Sequence, residues 1–153
     1  MNFGGEKLPR DDDKNILTKH LLFLKDEYKD YDRFSPVTWK EYMTDRDLRR
    51  NLERWIENII NSSIDIAKLL LRIHDQPIPQ TYREILLHIG LLPNFSEDFG
   101  NQLSRFAKLR NFLAHEYLDM RWDNIKNFIK ESKTIYPEFM AKVTEIVKSS
   151  DER

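Results

Sequence analysis

The chain contains 153 residues, with 25 basic and 26 acidic side chains, a formal charge of −1, 40% hydrophobic and 33% charged residues. One domain with a sizeable core fits that length, extensive disorder does not fit that composition, and any affinity for a polyanion must come from local placement of Lys and Arg. There is no cysteine, which excludes disulfides and thiolate metal sites; with no apolar run of membrane-spanning length, and none after the charges of MNFGGEKLPRDDDK, a cytoplasmic location without a membrane partner is expected.

Four glycines and six prolines punctuate long segments rich in Leu, Ile, Lys, Glu and Arg whose apolar residues recur at helical spacing. The expected fold class is all-α, an antiparallel bundle of about five helices in a single domain over residues 1–153. Residues 1–10 read as a disordered arm. Asp11 to Asp13 mark the start of a first helix, 12–31, carrying Ile16, Leu17, Leu21, Leu24 and Tyr28. After a connector containing FSPVTW, Thr44 and Asp47 have capping-box spacing and open the longest element. There Leu48, Leu52, Ile56, Ile59, Ser63, Ile66, Leu70 and Ile73 form one stripe, widened by Trp55, Ile60, Ala67, Leu69 and Leu71. A helix of about 30 residues spans about 45 Å at 1.5 Å per residue, more than one compact core needs, so part of its apolar face is assigned to a dimer.

The two prolines of DQPIPQ end that helix. Thr81 and Glu84 supply another Thr-x-x-Glu signal ahead of Ile85, Leu86 and Ile89, in a short helix that stops near Gly90. Ser96 caps a fourth helix beginning at Glu97. The last helical region, 122–149, carries Ile125, Phe128, Ile129, Phe139, Val143, Ile146 and Val147, and Pro137 is expected to divide it.

The fourth helix contains an anomaly. Its apolar stripe runs Phe99, Leu103, Phe106, Arg110, Leu113 and Tyr117 in steps of three and four. A guanidinium on a packing stripe needs a partner or a wet cleft, because an unpaired buried charge is costly. Pairing with a carboxylate on a neighbouring helix is the simplest account. His115 falls about 140° from Arg110 on a regular helix. The two side chains meet only if the helix ends or turns near 114, or if one of them comes from a second copy of the chain. A lone histidine at a helix end is ordinarily a capping or dipole partner, and Tyr117, in register with the stripe, reads as a half-buried core residue with its hydroxyl at the surface.

Together, Arg110, four residues, His115, one residue and Tyr117 resemble the Arg-x4-His-x-Tyr motif of HepT-like toxins in the HEPN superfamily. The string RFAKLRNFLAHEYLDMRWDNI is similar to that family's hydrophobic helix, Arg-Asn, Ala-His-x-Tyr and following Trp-containing helix, and the order of elements is similar over residues 12–149. The resemblance implies a helical-bundle homodimer in which two motifs face one cleft, acting as a metal-independent endoribonuclease toxin of a type VII toxin–antitoxin system. It implies Arg110 and His115 as the catalytic pair, attack by the 2′-OH of RNA, and a product bearing a 2′,3′-cyclic phosphate. The implied partner is a minimal nucleotidyltransferase antitoxin, MntA-like, which silences the nuclease by transferring AMP to Tyr117.

The residue types suit that chemistry. Imidazole exchanges protons near neutrality, and a guanidinium offers a planar fork of donors to non-bridging phosphate oxygens. An adenylate on Tyr117 would set a negative phosphodiester and a bulky base beside the phosphate site. Asn111 either hydrogen-bonds the phosphate or holds the backbone of the motif. Arg46, Arg50 and Arg54, at i, i+4 and i+8, form either a track for RNA phosphate or, with Asp45, Asp47, Glu53 and Glu57 among them, a solvated ion-paired face. Arg105, Lys108 and Arg121 flank the motif and are candidate RNA-backbone contacts.

His20, His74 and His88 lack metal-ligand spacing, Asp11 to Asp13 read as a helix start, and no Gly-rich phosphate loop or Ser/His/Asp arrangement is apparent. No metal and no cofactor are expected. Two other readings stay open: a non-catalytic HEPN partner of a nucleotidyltransferase, and a structural helical dimer in which Arg110 is ion-paired.

Overall fold

A computed structural model of the chain describes residues 10–114 and 117–149. Among these, all regular structure is helical: α1 (Asp11–Tyr28), α2 (Tyr31–Phe34), α3 (Trp39–Thr44), α4 (Arg46–Ile73), α5 (Tyr82–His88), a 3-10 turn (Ile89–Leu91), α6 (Glu97–Ser104), α7 (Phe106–Phe112) and α8 (Leu118–Ser149). The all-α expectation holds, with more and shorter elements than the five expected. The disordered-arm reading of residues 1–9 lies outside the described residues, whereas Arg10 is already in place as the N-cap of α1.

Asp11, Asp12 and Asp13 fill the first turn of α1, where carboxylates favour the positive end of the helix dipole. Asp13 also takes Arg72 Nη2 at 2.8 Å, joining the start of α1 to the end of α4. Leu17, Leu21 and Leu24 are buried, but Ile16, about 100° around the helix from Leu17, is 42% exposed and does not belong to the core. Short helices flank the FSPVTW connector: Phe34 ends α2 and Trp39 opens α3, with residues 35–38 as the turn between them. Thr38 and Glu41 form a reciprocal capping box, with Glu41 N donating to Thr38 Oγ1 at 3.2 Å and Thr38 N to Glu41 Oε1 at 3.1 Å. Thr44 is therefore the last residue of α3, its hydroxyl donating to the Lys40 carbonyl at 2.6 Å. The cap of α4 is Asp45, which has the extended backbone a cap requires and accepts from Leu48 N at 3.0 Å.

The 28 residues of α4 run for about 42 Å. Leu52, Ile56, Ile59, Ser63, Ile66, Leu70, Ile73 and all five residues that widen the stripe are at most 8% exposed within the single chain. The apolar surplus assigned to a dimer is thus covered internally, by α1, α5 and α7 and by α8, whose Tyr136 hydroxyl lies 2.9 Å from Ser63 Oγ. The helix closes on Asp75, which adopts a left-handed φ of 55°. Gln76 N reaches Leu71 O at 2.8 Å and Asp75 N reaches Arg72 O at 3.0 Å, the paired bonds of a Schellman stop placed ahead of the first proline.

Thr81 and Ser96 cap α5 and α6 as expected, accepting from Glu84 N at 3.2 Å and Phe99 N at 3.1 Å. Gly90 lies in the 3-10 turn after α5, where a Cβ would stand 2.8 Å from the Ser96 carbonyl oxygen; close approach likewise explains Gly100, whose Cβ would stand 2.5 Å from the Leu87 carbonyl oxygen and 2.9 Å from Gly90 N. The expected continuous fourth helix breaks at Arg105, where the bonds Arg105 N to Gln102 O and Lys108 N to Arg105 O, both 3.3 Å, tighten to i, i−3 spacing. Phe99, Leu103, Phe106 and Leu109 nevertheless remain buried through the break. By contrast α8 runs unbroken through Pro137 and starts at Leu118 rather than Trp122. Pro137 is exposed while Ile135, Tyr136 and Phe139 are buried beside it, so packing on both sides outweighs the lost backbone bond. No helix among the described residues is long and apolar enough to cross a membrane.

Candidate functional site

Arg110 stands in the last turn of α7, a seven-residue helix that buries Phe106, Ala107 and Leu109 behind it. Its guanidinium carbon lies 4.7 Å from the centroid of the Tyr82 ring. Tyr82 is the first residue of α5, set there by the Thr81 cap, and Lys68 of α4 lies 5.8 Å from the same ring. Among the described residues none of the ion pairs involves Arg110. The carboxylate-paired account thus lacks its carboxylate there. An aromatic face attracts a guanidinium by about 0.5–2 kcal/mol without neutralising it, so the arginine is oriented and keeps its charge. Tyr82 was not identifiable from the sequence: TYRE reads locally as a cap, and nothing in its spacing refers to a residue on another helix.

The helix carrying Arg110 ends at Phe112. Leu113 N donates to Leu109 O at 2.9 Å and Ala114 N to Asn111 O at 3.2 Å, closing a turn before α8 starts at Leu118. This is the helix end near 114 that would release Arg110 and His115 from opposite sides of a regular wheel; the assignment of His115 itself lies outside the described residues. Tyr117 is 69% exposed, a correction to the half-buried core residue read from the stripe. The register that would have buried it stops with α7. Asn111 is exposed and faces the groove beside Tyr82.

The start of α8 is anchored by a polar chain inside an aromatic cluster. Arg121 Nη1 lies 3.2 Å from Glu53 Oε2, the two side chains being only 18% and 16% exposed. The Tyr42 hydroxyl donates to the same carboxylate. Burial first, then the Glu53 carboxylate, push the Tyr42 phenol well above its ordinary pKa. Trp122 packs on Trp39 and Tyr42, with ring centroids 6.1 and 5.1 Å apart. Arg121, a candidate RNA contact by sequence, is instead bound to Glu53 and fixes the turn of α8 that follows Tyr117, whose carbonyl accepts from Arg121 N at 3.3 Å.

The remaining candidate cations divide by position. Lys108 is exposed on α7 and in no ion pair among the described residues; Arg105 is exposed at the α6–α7 break with Glu131 at 3.9 Å. Arg46, Arg50 and Arg54 are exposed on α4, yet Arg54 precedes Lys68, the α4 residue beside Tyr82, by about 21 Å of helix. Four cations do gather at Tyr82: Lys68, Arg83, Lys108 and Arg110, none in an ion pair among the described residues. Such a cluster favours a polyanion. A family model described as ribonuclease HepT-like matches residues 24–146, from within α1 to within α8. Comparison with curated proteins gives no match.

Proposed function

The chain belongs to the HepT-like ribonuclease family, and on that footing we propose that it is the toxin of a type VII toxin–antitoxin pair, a metal-independent endoribonuclease acting as a homodimer. Arg110 carries the proposal: it is a guanidinium held over an aromatic ring at 4.7 Å with no carboxylate counter-charge among the described residues. Its donors are open to the non-bridging oxygens of a phosphodiester, where charge grows as the phosphorane forms.

In the proposed reaction the 2′-oxygen of the RNA attacks phosphorus while an imidazole takes its proton. The P–O5′ bond breaks, and a proton passes from an imidazolium to the leaving 5′-oxygen. The two His115 side chains of a dimer supply one group for each transfer. The products are a 2′,3′-cyclic phosphate and a free 5′-hydroxyl. Asn111, Lys108 and Arg105 flank Arg110 as contacts to the RNA backbone, with Arg46, Arg50 and Arg54 serving a more distant part of the strand. Tyr117, at 69% exposure, offers its hydroxyl to an MntA-like nucleotidyltransferase, and the transferred AMP places a negative charge and a base beside the substrate phosphate.

Incubation of the purified chain with RNA in EDTA tests the proposal. Fragments ending in a 2′,3′-cyclic phosphate are expected, with no cleavage of an oligonucleotide lacking 2′-hydroxyls. Cleavage of that oligonucleotide, or an activity that appears only with added divalent metal, overturns the mechanism.

A further inference from the structure

Beside Arg110 a groove of about 320 Å³ opens between the start of α5 and α7, with Gln80, Tyr82, Arg83, Lys108 and Asn111 on its walls and Ala107 beneath them. Its size falls at the lower end of small-ligand sites, about 300–1,000 Å³. Among the described residues no carboxylate lines it. Arg83 and Lys108 are both exposed and in no ion pair among the described residues, so each can meet a phosphate without giving up a partner. The amides of Gln80 and Asn111 both donate and accept hydrogen bonds, as the edge of a nucleobase requires, and the Tyr82 ring offers a flat apolar wall. Two cations, two amides and an aromatic ring around one cleft match a nucleotide better than an apolar ligand or a bare anion.

The groove shares Tyr82 with Arg110, so a strand whose reacting phosphate sits on Arg110 continues into it. Lys108 also borders a second groove of about 240 Å³ on the other side of α7, against Asn124 and Asn127 of α8. It thus stands on a ridge that a strand longer than one nucleotide would cross. Paired bases of an A-form duplex are not splayed into clefts, whereas unpaired ones are.

We propose that this groove is a subsite for one unpaired nucleotide of single-stranded RNA flanking the scissile phosphate, its phosphate held by Lys108 and Arg83 and its base set against Tyr82 and Asn111. The choice of RNA rests on the ribonuclease assignment above.

The test is equilibrium binding of a fluorescent 2′-O-methyl hexaribonucleotide, which cannot be cut by 2′-oxygen attack, to the full chain across a salt series. A lost phosphate contact lowers the salt slope by about 0.7 for a single strand, which corresponds to about fivefold weaker binding at 0.1 M relative to 1 M salt. Lys108→Gln and Arg83→Gln are each expected to show that fivefold loss and that reduced slope, and AMP at matched concentration is expected to leave the strand bound. Both side chains are exposed, and unchanged thermal unfolding verifies that each variant is folded. The proposal is overturned if the wild type does not bind, if both variants bind as the wild type does, or if AMP displaces the strand as well as the unlabelled hexamer, which would mark a mononucleotide site. Since the probe is not cut, the two claims fail separately: active enzyme with indifferent variants removes the subsite alone, and normal strand binding with no RNA cleavage removes the ribonuclease assignment alone.

Discussion

Substituting Tyr82 by leucine is expected to slow RNA cleavage while leaving the fold intact. The ring lies 4.7 Å from the Arg110 guanidinium carbon, inside the limit of about 6 Å for a cation–π contact. Tyr82 is 45% exposed and Arg110 is partly buried, so the contact falls between the exposed and desolvated cases, about 0.5–2 kcal/mol. At about 1.4 kcal/mol per factor of ten, an arginine that must be reoriented at that cost slows the chemical step by about 2- to 30-fold. Tyr82→Phe keeps the ring and is expected to cleave within about twofold of wild type, because the attraction comes from the ring face and not from the hydroxyl. Single-turnover cleavage at saturating protein measures the step apart from RNA binding. Thermal unfolding provides the control, since loss of the ring contact lowers stability by about 0.5–2 kcal/mol, a fraction of the about 5–15 kcal/mol of an ordinary domain. Equal rates for Tyr82→Leu and wild type, or equal losses for Tyr82→Leu and Tyr82→Phe, would refute the orienting role of the ring.

Two further outcomes concern the scaffold. Gly100→Ala is expected to destabilise the protein by about 1–3 kcal/mol by overpacking, since its Cβ would lie 2.5 Å from the Leu87 carbonyl oxygen; a denaturation midpoint equal to that of wild type contradicts the close crossing of α5 and α6. The phenols of Tyr28, Tyr31, Tyr42 and Tyr136 are all raised, chiefly by burial, Tyr28 to about 12. A raised phenol favours the neutral folded form, so its contribution is fully present below the ordinary value of about 10 and is lost as pH rises through the folded value. Denaturation midpoints should therefore hold steady up to about pH 10 from this source and fall above it; Phe variants at these positions should flatten the fall, and an unaltered alkaline fall in all four would contradict the assignment.

What the sequence made legible was local. The stripe of α4 and the Thr81 and Ser96 caps depend on neighbours three or four residues away, and the structure places them where periodicity and capping chemistry indicate. Thr44 and Asp45 are both good caps one residue apart, and the choice between them was made by α3, which holds Thr44 in a helical conformation. Whether the long face of α4 was surplus or covered depended on how the other helices fold back onto it. Ionic partners were equally non-local: Glu53 looked like an interruption of a basic stripe and is the counter-ion of Arg121. The same limit hid Tyr82, whose significance comes from a guanidinium on another helix. Tyr117 was misplaced for the opposite reason, because the periodic pattern was extended past the point where its helix ends.

Arg110, in the proposed reaction, is a charge kept for phosphate. Single-turnover cleavage of one RNA in EDTA by wild type and by Arg110→Ala, with thermal unfolding of both, tests this directly. Loss of one preorganised donor to a developing oxyanion typically costs about 100- to 1,000-fold, and a decrease of that size is predicted with stability lowered by no more than the about 0.5–2 kcal/mol of the ring contact. Equal cleavage rates for the two proteins would contradict it.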